Sequence, residues 1–163
     1  MEKLVYRAAL CAMLFASLML GACSNVDGQS VALTGKATDF SLETLDGGKF
    51  NLGEILKTKN TVLVFWTTWC PSCAREVADV EKYYQQHGKD VAVIGINIQE
   101  SKNKVAGFAD RMGISYPIAL DTAGHVARIY NVRGIPTVIA INKKGDILYF
   151  GHDIVEMERK VKF

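Results

Sequence analysis

Two short apolar runs separated by an amphipathic segment constrain the fold more than any other feature of this sequence. Residues 61–66 and 91–96 are continuously apolar or nearly so, as expected for strands buried on both faces. Between them, residues 74–87 place apolar side chains at helical spacing, and Gly88 is a natural helix stop. A strand, a helix and a parallel strand form the crossover unit of an α/β sheet. The sequence therefore predicts an α/β fold with these two strands at the centre of its sheet.

The patterns on either side of this unit extend the same sheet. Apolar residues alternate on both sides of a glycine-rich turn at 46–48, which predicts a hairpin over residues 40–52. The second half of the chain predicts a helix at 102–112, a short strand at 117–120, a helix at 126–130, a hairpin from strands at 137–141 and 147–151, and a last helix opened by a capping box at 153–156. One domain at residues 37–163 accounts for all of these elements.

Length, composition and charge exclude other classes of protein. A chain of 163 residues is long enough for one ordinary domain and short for two. Apolar residues make up 49% of the sequence and charged residues 22%, which excludes a disordered chain. The net charge of +2 gives no electrostatic hold on nucleic acid, so we expect no nucleic-acid partner. We expect the protein to be a monomer.

The first residues are predicted to target the chain for export. Lys3 and Arg7 precede an apolar run at residues 8–20, which is too short to span a bilayer and is typical of a secretory signal. The Leu20-Gly21-Ala22-Cys23 segment that follows resembles the lipobox of bacterial lipoproteins.

This resemblance implies a lipoprotein signal peptide at residues 1–22 and lipidation of Cys23, whose acyl chains would hold the protein on a membrane. Residues 23–36 would then form the lipidated N-terminus and a flexible tether, because they are rich in small and polar side chains. The alternatives are an ordinary signal peptide with a free Cys23, and an uncleaved membrane anchor.

A pair of cysteines carries the predicted chemistry. The chain has four cysteines, and Cys70 and Cys73 remain free once Cys11 leaves with the signal and Cys23 carries lipid. In an exported protein, a pair that closes so small a loop indicates thiol–disulfide exchange rather than bracing. Cys70 follows a buried strand and precedes a helix, whose N-terminus stabilises a thiolate. We therefore expect Cys70 to be the exposed nucleophile and Cys73 the residue that resolves the mixed disulfide.

Zinc binding is another common use of a Cys-x-x-Cys spacing. It needs two further ligands. The sequence has no second cysteine pair, and its histidines, His87, His125 and His152, stand singly. We therefore expect no metal and no other cofactor at the pair.

Two motifs together carry a family resemblance. Trp69-Cys70-Pro71-Ser72-Cys73, after its apolar strand, and Gly134-Ile135-Pro136-Thr137 resemble the thioredoxin superfamily. The likeness runs from about Thr38 to about Gly151 and is closest to the membrane-tethered TlpA/ResA-like reductases. It implies an α/β, three-layer thioredoxin-like fold with a mixed central sheet and an added N-terminal β-hairpin. It also implies a redox-active disulfide between Cys70 and Cys73.

The resemblance also implies substrate-binding roles for three residues. Pro136 is expected to have a cis peptide bond facing Cys70. The backbone of Ile135 is then expected to pair with an extended substrate segment, as in β-augmentation. Trp69 is expected to shield the disulfide and contact the substrate, whereas Trp66 is expected in the core.

A proton acceptor is expected on the helix that follows the cysteines. Thioredoxins carry a buried aspartate on the preceding strand, but Val64 stands at that position here. TlpA/ResA-like proteins carry a glutamate three residues after the second cysteine, and here that residue is Glu76. Residues three apart share a helix face, so Glu76 is expected to take the proton of Cys73. The alternative is an acidic residue favoured only by the helix dipole.

The implied activity is that of a thiol–disulfide oxidoreductase, which we expect to reduce disulfides in exported proteins. Apocytochrome c, during cytochrome c maturation, is one expected substrate, and a membrane redox partner is expected to supply electrons. The expected location is the extracytoplasmic, periplasmic face of the cell envelope, with a lipid anchor in the membrane. Nothing in Pro71-Ser72 fixes a reduction potential, so the direction of electron flow stays open.

Two other functions fit parts of the same pattern. A peroxiredoxin-like peroxidase needs a threonine three residues before the reactive cysteine, which Thr67 provides, and a proline seven before it, where Leu63 stands. A Sco-like copper chaperone needs cysteines with three residues between them, and here only two intervene. Its third ligand would have to be His125.

Overall fold

The computed structural model describes residues 35–163. The signal peptide predicted at residues 1–22, the predicted lipidation of Cys23 and all but the last residues of the tether at 23–36 lie outside the described residues. Within residues 35–163, no helix is both long and apolar enough to cross a bilayer.

Strands and helices alternate along the described chain. In order, they are β1 Ser41–Thr44, β2 Lys49–Asn51, α1 Leu52–Leu56, β3 Asn60–Trp66, α2 Pro71–His87, β4 Val91–Ile98, α3 Lys102–Met112, β5 Ile118–Asp121, α4 His125–Ile129, β6 Thr137–Ile141, β7 Ile147–Gly151 and α5 Ile154–Lys160. The elements predicted from the sequence are confirmed, with bounds that differ by a few residues, except at the end of the first hairpin, where the structure has α1.

The strands form one mixed sheet in the order β2-β1-β5-β4-β3-β6-β7. β3 pairs in parallel with β4, and β4 pairs in parallel with β5. All other neighbouring pairs are antiparallel. The two apolar runs therefore form adjacent strands inside the sheet, as predicted.

Helices cover both faces of the sheet and produce three layers. One apolar core lies between the sheet and α2, α3 and α5, and the other lies between the sheet and α1 and α4. Alternate residues of β3 point to opposite faces. Val62 and Val64 consequently belong to the first core, and Leu63 and Phe65 to the second. Burial on both faces explains why this strand has no polar residues after Thr61.

The N-terminal hairpin extends one edge of the sheet. β1 pairs antiparallel with both β2 and β5, and Gly47, at φ +91°, occupies a left-handed position in the turn that favours glycine. The predicted hairpin is wrong at its end, because Leu52 begins a helix instead of ending a strand. The Asn51 side chain accepts a hydrogen bond from Glu54 N–H at 2.7 Å and so caps α1.

The last tether residue is attached to the domain. Lys36 forms a β-bridge with Asp146 in the turn between β6 and β7, and the Lys36 Nζ to Asp146 Oδ1 distance is 2.6 Å. Ala37 N–H donates to the carbonyl of Gly145 in the same turn at 2.8 Å. The chain is therefore fixed to the domain from Lys36 onward.

Parallel pairing brings several loops to one end of the sheet. Trp66 and Asn97 are in register, so β3 and β4 end together. β6 runs antiparallel to β3, with Thr137 opposite Phe65, so β6 begins at this same end. The segments that follow β3 and β4 and the segment that precedes β6 consequently meet there.

Candidate active site

The cysteine pair lies where β3 gives way to α2. Cys70 is the N-cap of α2, Pro71 is in the first turn, and Cys73 is bonded to Cys70 by a disulfide. The backbone N–H of Cys73 donates to Cys70 Sγ at 3.1 Å. Since the helix N-terminus presents unpaired N–H groups, it stabilises negative charge on Cys70 once the disulfide is reduced.

Burial of the pair differs from the sequence expectation. Cys70 is only 4% exposed and Cys73 is 3% exposed, so the expectation that Cys70 is the exposed nucleophile is wrong for the disulfide state. Two features cover Cys70: its capping position on α2, and the loop before β6, whose Ile135 carbonyl oxygen lies 3.7 Å from Cys70 Sγ. A partner must therefore reach the disulfide beside that loop.

Ser72 is a contact of the reactive sulfur that sequence reasoning missed. Its Oγ lies 3.3 Å from Cys70 Sγ. A hydroxyl at this distance can donate to a thiolate, and hydrogen bonds to a charged form favour that form. Ser72 therefore adds a second donor to the one that the helix supplies.

The loop before β6 places Ile135 and Pro136 beside Cys70. The Ile135–Pro136 peptide bond is cis, as expected. Thr137 Oγ1 donates to the Gly134 carbonyl at 2.6 Å and closes the loop. His152 Nδ1 lies 2.6 Å from the Pro136 carbonyl oxygen, and since that oxygen can only accept, Nδ1 carries the proton.

Glu76 lies one turn after Cys73 on α2 and is half-buried. Its Oε1 accepts a hydrogen bond from the backbone N–H of Ile154, at the start of α5, at 2.5 Å. Burial raises the pKa of the Glu76 carboxyl, and the charges of Asp153 and Asp79 raise it further against the opposing effect of the Ile154 N–H. A carboxyl in these surroundings holds its proton more readily than an ordinary glutamate.

Glu100 is a buried carboxylate that sequence reasoning missed. It is 8% exposed and follows the end of β4. Four groups donate to it: Thr68 N–H and Thr68 Oγ1, each at 2.7 Å, Asn97 Nδ2 at 2.9 Å and Lys104 Nζ at 2.7 Å. Burial alone raises the pKa of a carboxyl, but these donors outweigh burial and lower the pKa of Glu100 to about 2. Glu100 therefore fixes the loop two residues before Cys70.

The two tryptophans near the pair are placed differently. Trp66 is buried, and its ring packs against Phe108 with centroids 5.2 Å apart, which confirms it as a core residue. Trp69 is 65% exposed. Val64, at the position where thioredoxins carry an aspartate, is buried in the core beneath α2.

Beside the pair lies a cleft of about 570 Å³. Trp69 and Ile135, the neighbours of Cys70, line it, and Ile98 contributes an apolar side chain. Arg128, on α4, and Arg133, in the loop before β6, line it as well. Two of the three residues expected to contact a substrate, Trp69 and Ile135, therefore line one cleft, and Pro136 does not.

Metal ligands are not grouped at this site. Within the described range 35–163, no three His, Cys, Asp or Glu side chains are close enough to hold a metal ion. What the arrangement can do is exchange a disulfide: a capped cysteine, a second cysteine bonded to it and a glutamate with a raised pKa are together.

Comparison with known proteins gives consistent similarities. A family model described as Redoxin matches residues 33–161. Thiol-disulfide oxidoreductase ResA of Halalkalibacterium halodurans is 39% identical over 122 residues, covering 74% of this chain and 69% of that protein. The ResA of Geobacillus kaustophilus is 33% identical over 149 residues, covering 90% and 85%. The crystal structure of StoA from Bacillus subtilis has a TM-score of 0.66 and 25% identity, and the match covers 77% of this chain and 97% of StoA.

Proposed function

This chain belongs to the Redoxin family and is a ResA-like thiol–disulfide oxidoreductase, and from that premise we propose that it reduces disulfide bonds in exported proteins. The observation that supports the exchange chemistry most directly is the capped disulfide. Cys70 Sγ accepts from Cys73 N–H and lies beside the Ile135 carbonyl, where an extended substrate segment can approach.

The proposed reaction moves two electrons from the cysteine pair to a substrate disulfide. The Cys70 thiolate attacks one substrate sulfur, so that a Cys70–substrate disulfide forms and the other substrate sulfur leaves as a thiolate. Cys73 then loses its proton and attacks Cys70 Sγ, which forms the Cys70–Cys73 disulfide and releases the second substrate thiolate. Both released thiolates take up protons. The substrate is thereby reduced and the pair oxidised.

Glu76 is the proposed acceptor of the Cys73 proton. It lies one turn away on the same face of α2. Its raised pKa is closer to the pKa of a thiol than the pKa of an ordinary glutamate is. Trp69, Ile135 and Pro136 are the proposed substrate-binding residues, since the first two line the cleft and the third holds Ile135 beside Cys70.

The electrostatics at Cys70 support reduction rather than oxidation. In the part of the chain that the structure describes, no lysine, arginine or histidine nitrogen is within hydrogen-bond distance of Cys70 Sγ. A thiolate that has only the helix N–H and Ser72 as donors is less stable than one that also has a cationic partner. The missing cation favours the disulfide state and makes the reduced pair a better electron donor. The acidic residues around Glu76 act in the same direction.

The proposed location follows from the predicted signal at residues 1–22. We propose that Cys23 carries lipid and holds the protein at the extracytoplasmic face of the cell envelope, where a membrane redox partner re-reduces it. The cysteine pair of exported apocytochrome c is one proposed substrate, because haem attachment there needs free thiols. Labelling with an alkyne fatty acid, compared between the natural chain and Cys23→Ala, would detect the lipid.

The direction of electron flow is tested by equilibrating the protein with glutathione buffers. The fraction of Cys70–Cys73 disulfide, measured by thiol alkylation and mass spectrometry, gives the reduction potential. A reductase is expected to have a reduction potential of about −250 mV, within the range of thioredoxin-like reductants. A potential near about −120 mV would make the protein an oxidant and overturn the proposal.

A further inference from the structure

The cleft beside the disulfide has a wall of positive charge with no acidic partner. Arg128 and Arg133 are exposed and line the same cleft as Trp69. Arg128 Nη1 donates to the Ala123 carbonyl at 3.0 Å, and Arg133 Nε donates to Asn131 Oδ1 at 3.0 Å. Within residues 35–163 neither guanidinium forms an ion pair. Each has five N–H donors, so most of them are available to a ligand.

The opposite layer of the domain carries negative charge near the same cysteines. Glu76 is on α2, and Asp79 and Asp153 are close enough to raise its pKa. α2 and α5 pack on one face of the sheet, whereas α4, which carries Arg128, packs on the other. Glu76 and its two acidic neighbours therefore lie on the opposite face of the sheet from Arg128.

From these two observations we infer that the protein prefers substrates with acidic side chains next to the target cysteine, which Arg128 and Arg133 bind while the cysteine lies beside Trp69 and Ile135. The inference rests on the proposed function, because it specifies the substrates of the same site. Planar guanidinium groups suit carboxylates, and complementary charge guides both orientation and encounter. Lysine-rich segments are disfavoured in the cleft for the same reason.

The test compares peptides that differ only in flanking charge. Each peptide has one central cysteine, carried as a mixed disulfide with 2-mercaptoethanol, and two Asp, two Gln or two Lys residues on each side of it. The pre-reduced full-length protein is mixed with each peptide, the reaction is quenched with acid, and released peptide thiol is measured by chromatography. Each rate is divided by the rate with dithiothreitol, a neutral reductant, which removes the effect of flanking charge on the peptide disulfide itself.

The Asp peptide is expected to be reduced about fivefold faster than the Lys peptide at low ionic strength. Two exposed ion pairs with the arginines are strong enough to produce a difference of this size. The ratio is expected to approach one in about 1 M salt, where the screening length is about 3 Å. The double variant Arg128→Gln/Arg133→Gln is expected to lose the preference. The variant Arg111→Gln/Arg159→Gln removes the same charge from the ends of α3 and α5 and is expected to keep it.

Two results would overturn the charge preference alone: equal relative rates for all three peptides, or a preference that survives in the Arg128→Gln/Arg133→Gln variant. If the reduced protein converts none of the peptides, the proposed reductase function fails, and the preference fails with it. The salt dependence is measured on the natural chain, so it remains decisive even if the double variant folds poorly.

Discussion

Two carboxyls near the cysteine pair have opposite surroundings. Glu100 binds Thr68 in the loop before Cys70, and Glu76 lies one turn after Cys73 on α2. Glu100 accepts four hydrogen bonds, one of them from a lysine, and the pKa of its carboxyl is lowered to about 2. Glu76 accepts one hydrogen bond, and burial and two acidic neighbours raise the pKa of its carboxyl. Groups whose surroundings move their pKa values apart serve different purposes.

This difference indicates that the two carboxyls have different roles at one site, one structural and one chemical. Because its pKa is lowered to about 2, Glu100 is ionised at neutral pH and acts by holding Thr68 and Asn97. Glu76 can both lose and accept a proton closer to neutrality, as a general base for Cys73 must. One carboxylate thus fixes the loop that precedes Cys70, and the other has surroundings that suit the proton transfer we propose for it.

The largest expected effect is a loss of stability in Glu100→Ala. The substitution leaves Thr68 N–H and Asn97 Nδ2 without their acceptor in a buried site, so the free energy of unfolding should fall by about 3 kcal/mol or more. Urea unfolding of the oxidised protein measures it. The control is Glu54→Ala, which removes the exposed pair with Lys57 and should cost under about 1 kcal/mol. Equal losses in both variants would mean that the Glu100 network adds nothing.

The second prediction concerns acid. The pKa of Glu100 falls from an ordinary 4.5 to about 2 on folding, so its ionisation stabilises the fold above pH 4.5, and this part is lost as the pH falls toward 2. The stabilisation is on the order of 3 kcal/mol. Urea unfolding at a series of pH values should show the difference between the natural chain and Glu100→Gln shrinking over this range. A constant difference would contradict the prediction.

The same titration should have the opposite sign at Glu76. Its pKa is raised on folding, so ionisation of Glu76 destabilises the fold, and stability should decrease as the pH rises from 4.5 through the folded pKa. Glu76→Gln should remove this decrease while its side-chain oxygen still accepts from Ile154 N–H.

The fourth prediction concerns the rate of exchange. Glu76→Gln should slow attack by Cys73 on the mixed disulfide at least about tenfold at neutral pH, which is about 1.4 kcal/mol in the barrier. Acid quenching and mass spectrometry should show the Cys70–substrate disulfide accumulating. Glu54→Gln, the same change at an exposed glutamate on α1, is the matched control and should resolve at nearly the natural rate. An unchanged rate in Glu76→Gln between pH 6 and 8 would exclude Glu76 as the acceptor.

The last prediction contrasts two adjacent threonines. Thr68 Oγ1 donates to Glu100 at 2.7 Å, whereas Thr67 Oγ1 is buried with no hydrogen-bond partner in the described part of the chain. Thr68→Val should therefore cost about 1.5 kcal/mol of stability, since a hydrogen bond to a charged group is lost. Thr67→Val should be neutral or slightly stabilising. Urea unfolding of both variants tests this, and a larger loss in Thr67→Val would reverse the assignment.

Much of the fold could be predicted because local patterns agree with the tertiary structure. The apolar run of β3 predicts burial on both faces, and both faces are buried. α1 was not predictable from periodicity, because it is a single short turn whose start depends on the Asn51 cap.

The site was predictable where a motif carries it and not where distant residues meet. Cys70, Cys73 and Pro136 stand in two motifs, and the structure places Ile135 and Pro136 beside Cys70. Glu100 binds Thr68 across 32 positions of sequence. One signal could have suggested it, since β3 and β4 are predicted to be parallel neighbours and residues just after such strands meet at one end of the sheet. Burial of Cys70 depends on the loop before β6 and has no local signal.

The bridge between Lys36 and Asp146 fixes the point at which the N-terminal segment joins the domain. Asp146 lies in the turn after β6, and β6 starts beside Cys70 and runs away from it, so Lys36 is fixed at the opposite end of the sheet. A five-residue strand is about 17 Å long. If Cys23 holds the chain on a membrane as proposed, the tether joins the domain at the end opposite the disulfide. The attachment of the anchor would then leave the end of the domain that carries the disulfide accessible to other exported proteins.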